Sequence, residues 1–298
     1  MKKLFLFNLI FLILILYSSC SFGAYFLLFD EDNVDTRAAS VEKLSDSQLP
    51  SVSFGNVYSG VLITDVHFGA QENECEKFLS WISAQFENED STLRPRFILC
   101  LGDIANSGSS KEYDEFNSFC EAVRKLASEK IGDSDFKIYS TIGNHDLYNN
   151  GWSNYKKQVF PYKTAYYFDS SNFSLGNFSF YFLDSANGTF GEKQRESFAS
   201  VVKNDPNAKI VCTHYPIYAG GNALMTIQNT MERATFLTIF KKNNVKQVFE
   251  GHAHRTYGFD YSTFREDVTA SFVRRYTWRL FTVDEVNKTV HSTVIEKE

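Results

Sequence analysis

Five of the chain's six histidines lie within a series of five short motifs. In order, the motifs are Asp65-Val66-His67, Gly102-Asp103, Gly143-Asn144-His145-Asp146, Thr213-His214-Tyr215 and Gly251-His252-Ala253-His254. Imidazole nitrogens together with carboxylate and amide oxygens are the ligands that transition metals use in proteins. Each motif also follows an apolar run, which histidines scattered over a surface would not do. The pattern therefore predicts a metalloenzyme.

The candidate ligands are too numerous for a single ion. They are Asp65, His67, Asp103, Asn144, His214, His252 and His254. A structural zinc takes four ligands, so seven indicate two metals that share a bridging carboxylate. Asp103 stands alone after its apolar run and is the natural bridge. Mixed nitrogen and oxygen ligands without thiolate favour zinc, iron, manganese or a mixed pair, whose identity the sequence leaves open.

From about Gly60 to Arg255, the ordered motifs resemble those of the calcineurin-like metallophosphoesterases. The resemblance implies a two-sheet β-sandwich flanked by helices. It assigns one metal to Asp65, His67 and His254, the other to Asn144, His214 and His252, and the bridging position to Asp103. It also implies that His145 is the general acid or transition-state stabiliser and that Asp146 orients it.

Within this family the chain departs from the purple acid phosphatases at two positions. Those enzymes carry a ligating tyrosine three residues after the bridging aspartate, where this chain has Asn106, and they lack a histidine at the position of His67. We therefore expect membership of the wider group, which includes class III cyclic-nucleotide phosphodiesterases. We also expect no tyrosinate-to-iron colour.

The expected activity is metal-dependent hydrolysis of a phosphomonoester or phosphodiester. Two metals would ionise a bound water, the resulting hydroxide would attack phosphorus in line, and His145 would protonate the leaving oxygen. A non-catalytic metal-binding interaction module at the cell surface is the alternative. The chain has no GxxxxGK[ST], GxGxxG or HExxH motif, which argues against nucleotide switches and zincin proteases.

The charge of the chain limits its partners. The formal net charge is -6 and no basic stripe is present, which argues against a nucleic-acid polymer as partner. A small phosphorylated substrate remains compatible with this charge, because bound metals would supply local positive charge.

The N-terminus has the pattern of an export signal. Lys2 and Lys3 precede an apolar run over residues 4–17, and small residues follow, so residues 1–23 are predicted to be a signal peptide. Cleavage before Cys20 would leave a lipidated cysteine and membrane attachment, whereas cleavage after Gly23 would release a secreted protein. Both alternatives stay open, an uncleaved anchor is a less favoured third, and each places the protein outside the cytoplasm.

Residues 24–55 read as a polar tether, and residues 56–298 as one α/β metallophosphoesterase domain. Strands are expected at 61–63, 97–101, 136–142, 178–183, 209–212 and 245–249, with closing strands near 268–274, 279–283 and 290–295. One helix is expected to carry Cys75, Phe78, Leu79, Ile82 and Phe86 on one face. Further helices are expected at 192–203, at 226–242 with Ile227, Met231, Ala234 and Leu237 inward, and after a Ser109–Glu112 capping box.

The motifs are expected to meet because ligands gather beyond the carboxyl ends of strands in α/β sheets. In an extended strand end, residues i and i+2 face the same side, so Asp65 and His67 should point together, as should His252 and His254. Glycines 102, 143 and 251 suit turns where the backbone passes close to the site.

For three features, the sequence is compatible with two different roles. Asp184, after a predicted strand, is either a support for the site or a turn residue. Tyr215 and residues 220–222 form either a substrate wall or a plain loop. The aromatic residues after the Gly143–Asp146 motif either stack on a substrate or fill the core, and the core is favoured.

Overall fold

Two β-sheets face each other in the computed structural model, which describes residues 33–70, 75–218 and 225–296. The strands are β1 (Glu42–Lys43), β2 (Val57–Ile63), β3 (Pro95–Cys100), β4 (Lys137–Ser140), β5 (Tyr166–Asp169), β6 (Phe178–Leu183), β7 (Ala208–Thr213), β8 (Val245–Glu250), β9 (Tyr257–Asp260), β10 (Arg265–Val268), β11 (Thr277–Asp284) and β12 (Thr289–Glu296). The first sheet has the order β12-β11-β2-β3-β4 and the second β1-β5-β6-β7-β8-β10-β9.

Helices cover the outer face of each sheet. They are α1 (Val34–Arg37), α2 (Cys75–Phe86), α3 (Ser110–Ile131), α4 (Gly151–Gln158), α5 (Glu192–Asn204), α6 (Thr230–Lys242) and α7 (Phe272–Arg275). On β2, Val61 and Ile63 pack against α2 and α3, while Leu62 between them enters the core between the sheets. This alternation is what a strand buried on both faces requires. The expected sandwich flanked by helices is confirmed.

The parallel strands β2, β3 and β4 form one half of the site-bearing framework, and β6, β7 and β8 form the other. Each set runs in one direction, so the carboxyl ends of its strands meet at one edge. Helix α3 begins at the predicted capping box, in which Ser109 and Glu112 satisfy each other's backbone N–H groups. It ends at Gly132, which adopts the left-handed conformation.

Two predictions for the second half of the chain are wrong. Helix α6 begins at Thr230 rather than at residue 226, because the side chain of Asn229 caps it there. Its buried residues are Glu232, Phe236 and Phe240, and Leu237 packs against the core as predicted. Ile227 is buried but precedes the helix, whereas Ala234 is exposed and Met231 is 74% exposed. Residues 268–274 are not one strand: β10 ends at Val268 and α7 follows, with Ser271 accepting a hydrogen bond from the Arg274 N–H.

The predicted polar tether is also wrong for residues 33–55. This segment contains α1 and β1, and β1 pairs with β5. Arg37 forms a buried two-point ion pair with Asp184, at 2.7 and 2.8 Å, and also reaches Asn187. Because most apolar residues of the segment stand singly among polar ones, no periodic pattern predicted an element here, although Val41 and Leu44 are buried. Asp184 therefore anchors this segment to the domain and does not support the candidate metal site.

Of the remaining predictions, some concern residues that lie in the core, and others concern residues that the structure does not describe. Tyr155 and Tyr166, which follow the Gly143–Asp146 motif, are fully buried, so the core interpretation holds for them. Cys100 and Cys212 are buried free thiols in this core. The signal peptide, Cys20 and residues 220–222 lie outside the described residues. Among the described helices, none is both long enough and apolar enough to cross a bilayer.

Candidate metal centre

The five motifs meet at one edge of the sandwich, beyond the ends of β2, β3, β4, β7 and β8. Backbone hydrogen bonds connect the loops: the Asp65 N–H donates to the carbonyl of Gly102, and the His67 N–H donates to that of Asp103. Across the two sheets, the His252 N–H donates to Oδ2 of Asp65 at 3.0 Å. The site is therefore one rigid assembly of loops from both sheets.

The candidate ligands leave their strands through left-handed backbone turns. Positive φ angles occur at Asp65 (53°), His67 (48°), Asp103 (50°), His252 (62°) and His254 (51°). Non-glycine residues adopt this region rarely, and five in one site indicate backbone strain maintained by the surrounding contacts. The expectation that paired ligands share a side through an extended strand end is therefore wrong, although their side chains do converge.

At two motif glycines, neighbouring atoms approach the Cα so closely that no side chain would fit. A Cβ atom at Gly143 would collide with the backbone and carboxylate of Asp103. A Cβ atom at Gly251 would collide with the hydroxyl of Thr64 and come within 2.9 Å of Oδ2 of Asp65. The prediction that glycine lets the backbone pass close to the site is confirmed at both positions.

The ligand atoms fall into two groups that share one carboxylate. One group is Asp65, His67, Asp103 and His254, and the other is Asp103, His214 and His252, with ligand atoms within 4.8 Å of one another in each. Oδ1 of Asp103 lies 3.4 Å from Nε2 of His214, and Oδ2 lies 3.8 Å from Nε2 of His67. The two oxygens of one carboxylate thus face different groups, which is the arrangement a bridging ligand needs.

The first group contains a buried carboxylate oxygen that the described residues leave without a hydrogen bond. This atom is Oδ1 of Asp65, and Nε2 of His254 lies 3.1 Å from it. Nε2 of His67 and Nε2 of His254 face each other at 3.5 Å. Buried polar atoms are normally paired, and a shared cation would satisfy all three. The donor set therefore fits a metal ion.

The histidines of the second group are held in place by contacts with neighbouring residues. Nδ1 of His214 lies 2.7 Å from the carbonyl oxygen of Leu101, which can only accept, so Nδ1 carries hydrogen and Nε2 is the ligand atom. Nε2 lies 3.3 Å from Oδ1 of Asn144. The ring of Tyr215 stacks on that of His252, with centroids 3.7 Å apart. Tyr215 thus supports a candidate ligand from a buried position.

Proton affinities in the cluster follow the pairing of its charges. Burial alone would lower the pKa of His214, but the carboxylate of Asp103 raises it to about 9. Burial raises the pKa of Asp65, and the nearby His254 and His214 outweigh that effect and lower it to about 2. Burial and the charge of His214 lower the pKa of His252 to about 3. In the metal-free protein, cations and carboxylates thus balance each other.

His145 lies at the edge of the cluster and is held by two contacts. Its backbone N–H donates to Oδ1 of Asp103 at 2.8 Å. Its ring Nδ1 lies 2.8 Å from the carbonyl oxygen of Asn106, so Nδ1 carries hydrogen and Nε2 is the atom available to a substrate. Asn106, at the position where purple acid phosphatases have the ligating tyrosine, therefore orients His145 through its backbone carbonyl.

The structure differs from the prediction for Asp146. Its carboxylate accepts backbone N–H groups from Ile104, Ala105 and Gly143 and the hydroxyl of Tyr113, and none of its described hydrogen bonds reaches the ring of His145. Burial and the charge of Asp103 raise the pKa of Asp146 to about 7. Asp146 thus fastens the β3 and β4 loops together, and acts on His145 only through the backbone.

A cleft of about 450 Å³ opens onto the cluster. Asp103, Asn144, His145, His252 and His254 line its floor, and Met225, Ala253, Arg255, Arg274 and Arg275 complete it. The sequence analysis did not identify the three arginines. Arg255 could have been found, because it directly follows His254. Arg274 was missed because residues 268–274 were wrongly assigned to a strand, and Arg275 directly follows that segment.

Comparisons with known proteins agree with this geometry. The model of the calcineurin-like phosphoesterase family matches residues 61–256, which is more than half of the chain. A protein of Fibrobacter succinogenes named "probable cyclic nucleotide phosphodiesterase" is 25% identical over 199 residues, covering 64% of this chain and 71% of that protein.

Solved structures share the fold at low sequence identity. A dimetal phosphatase from Danio rerio superposes with a TM-score of 0.55 at 13% identity, over 84% of this chain and all of that one. A purple acid phosphatase from yellow lupin (Lupinus luteus) seeds gives 0.53 at 14% identity, over 84% of this chain and 55% of that one. At such identity the likeness concerns the fold alone.

Proposed function

The chain belongs to the calcineurin-like phosphoesterase family, and on that premise we propose that it hydrolyses a small phosphodiester with the help of two transition-metal ions. The observation that carries the proposal is the position of Asp103, whose two carboxylate oxygens face two separate groups of ligand atoms. A carboxylate shared in this way suits a pair of ions more than a single one.

Seven side chains would hold the two ions. Asp65, His67 and His254 would hold the first, Asn144, His214 and His252 the second, and Asp103 both. When bound, the pair supplies Lewis-acid chemistry, which polarises the phosphoryl oxygens and favours ionisation of a water molecule near neutral pH. Zinc, iron and manganese all suit these donors.

His145 is proposed to act on the leaving group. Its Nδ1 donates to the carbonyl of Asn106, which fixes the orientation of the ring and leaves Nε2 as the atom that would pass a proton to the leaving oxygen. The bond from its own backbone N–H to Asp103 fixes the ring's position relative to the bridging carboxylate. Asp146 supports this arrangement indirectly, because its carboxylate joins the loops that carry Asp103 and His145.

A diester is preferred over a monoester because of the relative from Fibrobacter succinogenes, whose name specifies cyclic nucleotides. The alternative of a non-catalytic interaction module is not favoured, since no ligand position in the cluster has lost its ligating side chain. His145 is also present at the cleft.

Export from the cytoplasm is a further part of the proposal and rests on residues 1–23 alone. The mass and N-terminal sequence of the mature protein, purified from its own cells, would decide the alternatives. A lipidated Cys20 would indicate membrane attachment, a terminus after Gly23 secretion, and an intact Met1 in the cytosolic fraction would refute export.

The decisive test is hydrolysis of bis-p-nitrophenyl phosphate and p-nitrophenyl phosphate, side by side, by protein reconstituted with manganese, zinc or iron. We expect turnover, faster with the diester, that disappears in Asp103→Ala. Activity that persists in Asp103→Ala would refute the metal assignment. A preference for the monoester would refute the choice of substrate class, and absence of turnover with every metal would refute the enzymatic proposal.

A further inference from the structure

Three arginines at the mouth of the cleft, Arg255, Arg274 and Arg275, form what we call the arginine rim. We propose that this rim binds a second phosphate group of the substrate, separate from the phosphoryl group that is cleaved. The inference rests on the proposed function, because it names the class of ester that this same site would accept: a phosphodiester that carries a further phosphate.

The rim shares its cavity with the candidate metal ligands. The same cleft of about 450 Å³ is lined by Asp103, His252 and His254 and by all three arginines. A ligand with one end at Asp103 can therefore have its other end at the rim. A volume of this size suits a small molecule with two such groups.

The backbone holds the rim at a fixed place beside the cluster. Arg255 directly follows His254 in the chain. Arg274 and Arg275 lie on α7, whose start is attached to the β2 loop: the Ser271 hydroxyl donates to the Asp65 carbonyl at 3.0 Å, and the Phe272 N–H donates to the Thr64 carbonyl at 2.9 Å. Both ends of a substrate would thus be read by parts of one connected framework.

The charges of the rim have no counterpart in the described structure. All three arginines are exposed, and none forms an ion pair with a described residue. The chain has 36 acidic and 30 basic residues, so acidic partners are not scarce. Like charges repel at short range, and bound metals would add to the positive potential. An anionic ligand would relieve this repulsion, and the planar guanidinium group matches phosphate with two hydrogen bonds.

An adjoining cavity locates the phosphate more closely. This second cavity, of about 400 Å³, is lined by His254, Arg255, Arg275 and also by Glu296. The carboxylate of Glu296 disfavours an anion there, whereas in the first cleft the acidic side chain is Asp103, a candidate metal ligand. The phosphate therefore belongs in the first cleft, on the side of Arg274.

The competing explanation is that the rim holds the scissile phosphoryl group itself, together with the metals. The two explanations differ in what a second phosphate contributes. If the rim binds a separate group, its loss removes the advantage of a doubly phosphorylated ligand. If the rim binds the scissile group, its loss weakens singly and doubly phosphorylated ligands by the same factor.

The experiment uses the metal-loaded full chain and two ligand pairs that differ by one phosphate. Calorimetry compares thymidine 5′-monophosphate with thymidine 3′,5′-bisphosphate. Release of p-nitrophenol compares the p-nitrophenyl ester of thymidine 5′-phosphate with the same ester carrying a 3′-phosphate. The test variants are Arg274→Gln with Arg275→Gln, and Arg255→Gln. The control is Lys111→Gln with Lys125→Gln, which removes two exposed charges from α3.

We expect the wild type to prefer the doubly phosphorylated ligand and ester by about tenfold or more, as charge-assisted bidentate contacts would give. The preference should fall to within about threefold of unity in Arg274→Gln/Arg275→Gln and persist in the lysine control. Melting temperatures, and metal content, check that the variants are folded and loaded.

Three results would overturn the inference: no preference in the wild type, an undiminished preference in the double arginine variant, or an equal loss for both ligands in that variant. Failure of the proposed function has a different signature. A calorimetric preference without any p-nitrophenol release would support the second phosphate site and refute hydrolysis. Release of p-nitrophenol without a preference for the doubly phosphorylated ligand would support hydrolysis and refute the second phosphate site.

Discussion

The metal-ligand cluster and the arginine rim lie in one cleft and are held in opposite ways. In the cluster, Asp65 and His214 are fully buried, and hydrogen bonds from neighbouring loops fix their orientation. In the rim, Arg255, Arg274 and Arg275 are exposed, and none of them forms an ion pair with another residue in the described part of the chain. The comparison suggests that the reaction depends on the preorganised part, and that the choice of substrate depends on the solvated part.

The largest effect is expected at the centre of the cluster. Asp103→Ala should lose both metals, because it removes the one carboxylate that both ligand groups share. Metal analysis after gel filtration would measure the loss, with the exposed Asp114→Ala as the matched control. If Asp103→Ala kept two metals per chain, the cluster would not depend on a bridge.

The next effect concerns His145, which lies at the border of the two regions. His145→Ala should keep its metals and lose about 10²–10⁴ in kcat, the usual contribution of a general acid. The loss should be larger for an alkyl ester than for a p-nitrophenyl ester, since p-nitrophenolate needs little protonation. An equal loss with both leaving groups would assign His145 to another role.

The ion pair between Asp103 and His214 predicts a pH dependence in the metal-free protein. Asp103 raises the pKa of His214 to about 9, from a usual value near 6.5. A raised pKa gives stability that is complete below pH of about 6.5 and lost as the pH rises through about 9, and the loss should be roughly 3 kcal/mol. Melting curves of the metal-free wild type and His214→Gln, from acid to alkaline pH, would measure it. Parallel curves would contradict the ion pair.

The smallest expected effect is the dependence of KM on ionic strength, which should be greater for the exposed arginine rim than for the buried cluster. Exposed charges are screened by salt, whereas buried ones are screened much less. Raising the ionic strength from about 0.05 to about 0.5 M should increase KM for the 3′-phosphorylated ester several-fold and change kcat little. A singly charged ester serves as the control. A salt-independent KM would place the rim with the preorganised cluster.

Alternating strands and helices in the sequence predicted the α/β class, and the family resemblance implied the sandwich. The convergence of the motifs could also be predicted, because each ligand follows a strand in a set of parallel strands. It was not sufficient where a residue's partner is distant in the chain. Arg37 and Asp184 are 147 residues apart, so nothing local indicated that residues 33–55 fold onto the domain. Asp146 was assigned to its neighbour His145, but its carboxylate bonds the loop of residues 104–105.

Residue types and their order by themselves predicted the candidate donor set, a pair of metals and a bridging role for Asp103, because ligand chemistry is a property of side chains. Tertiary structure alone decided the rest. The left-handed turns at Asp65 and His67 depend on contacts between loops. The arginine rim exists because α7 is attached to the β2 loop, and such long-range contacts leave no periodic trace in the sequence.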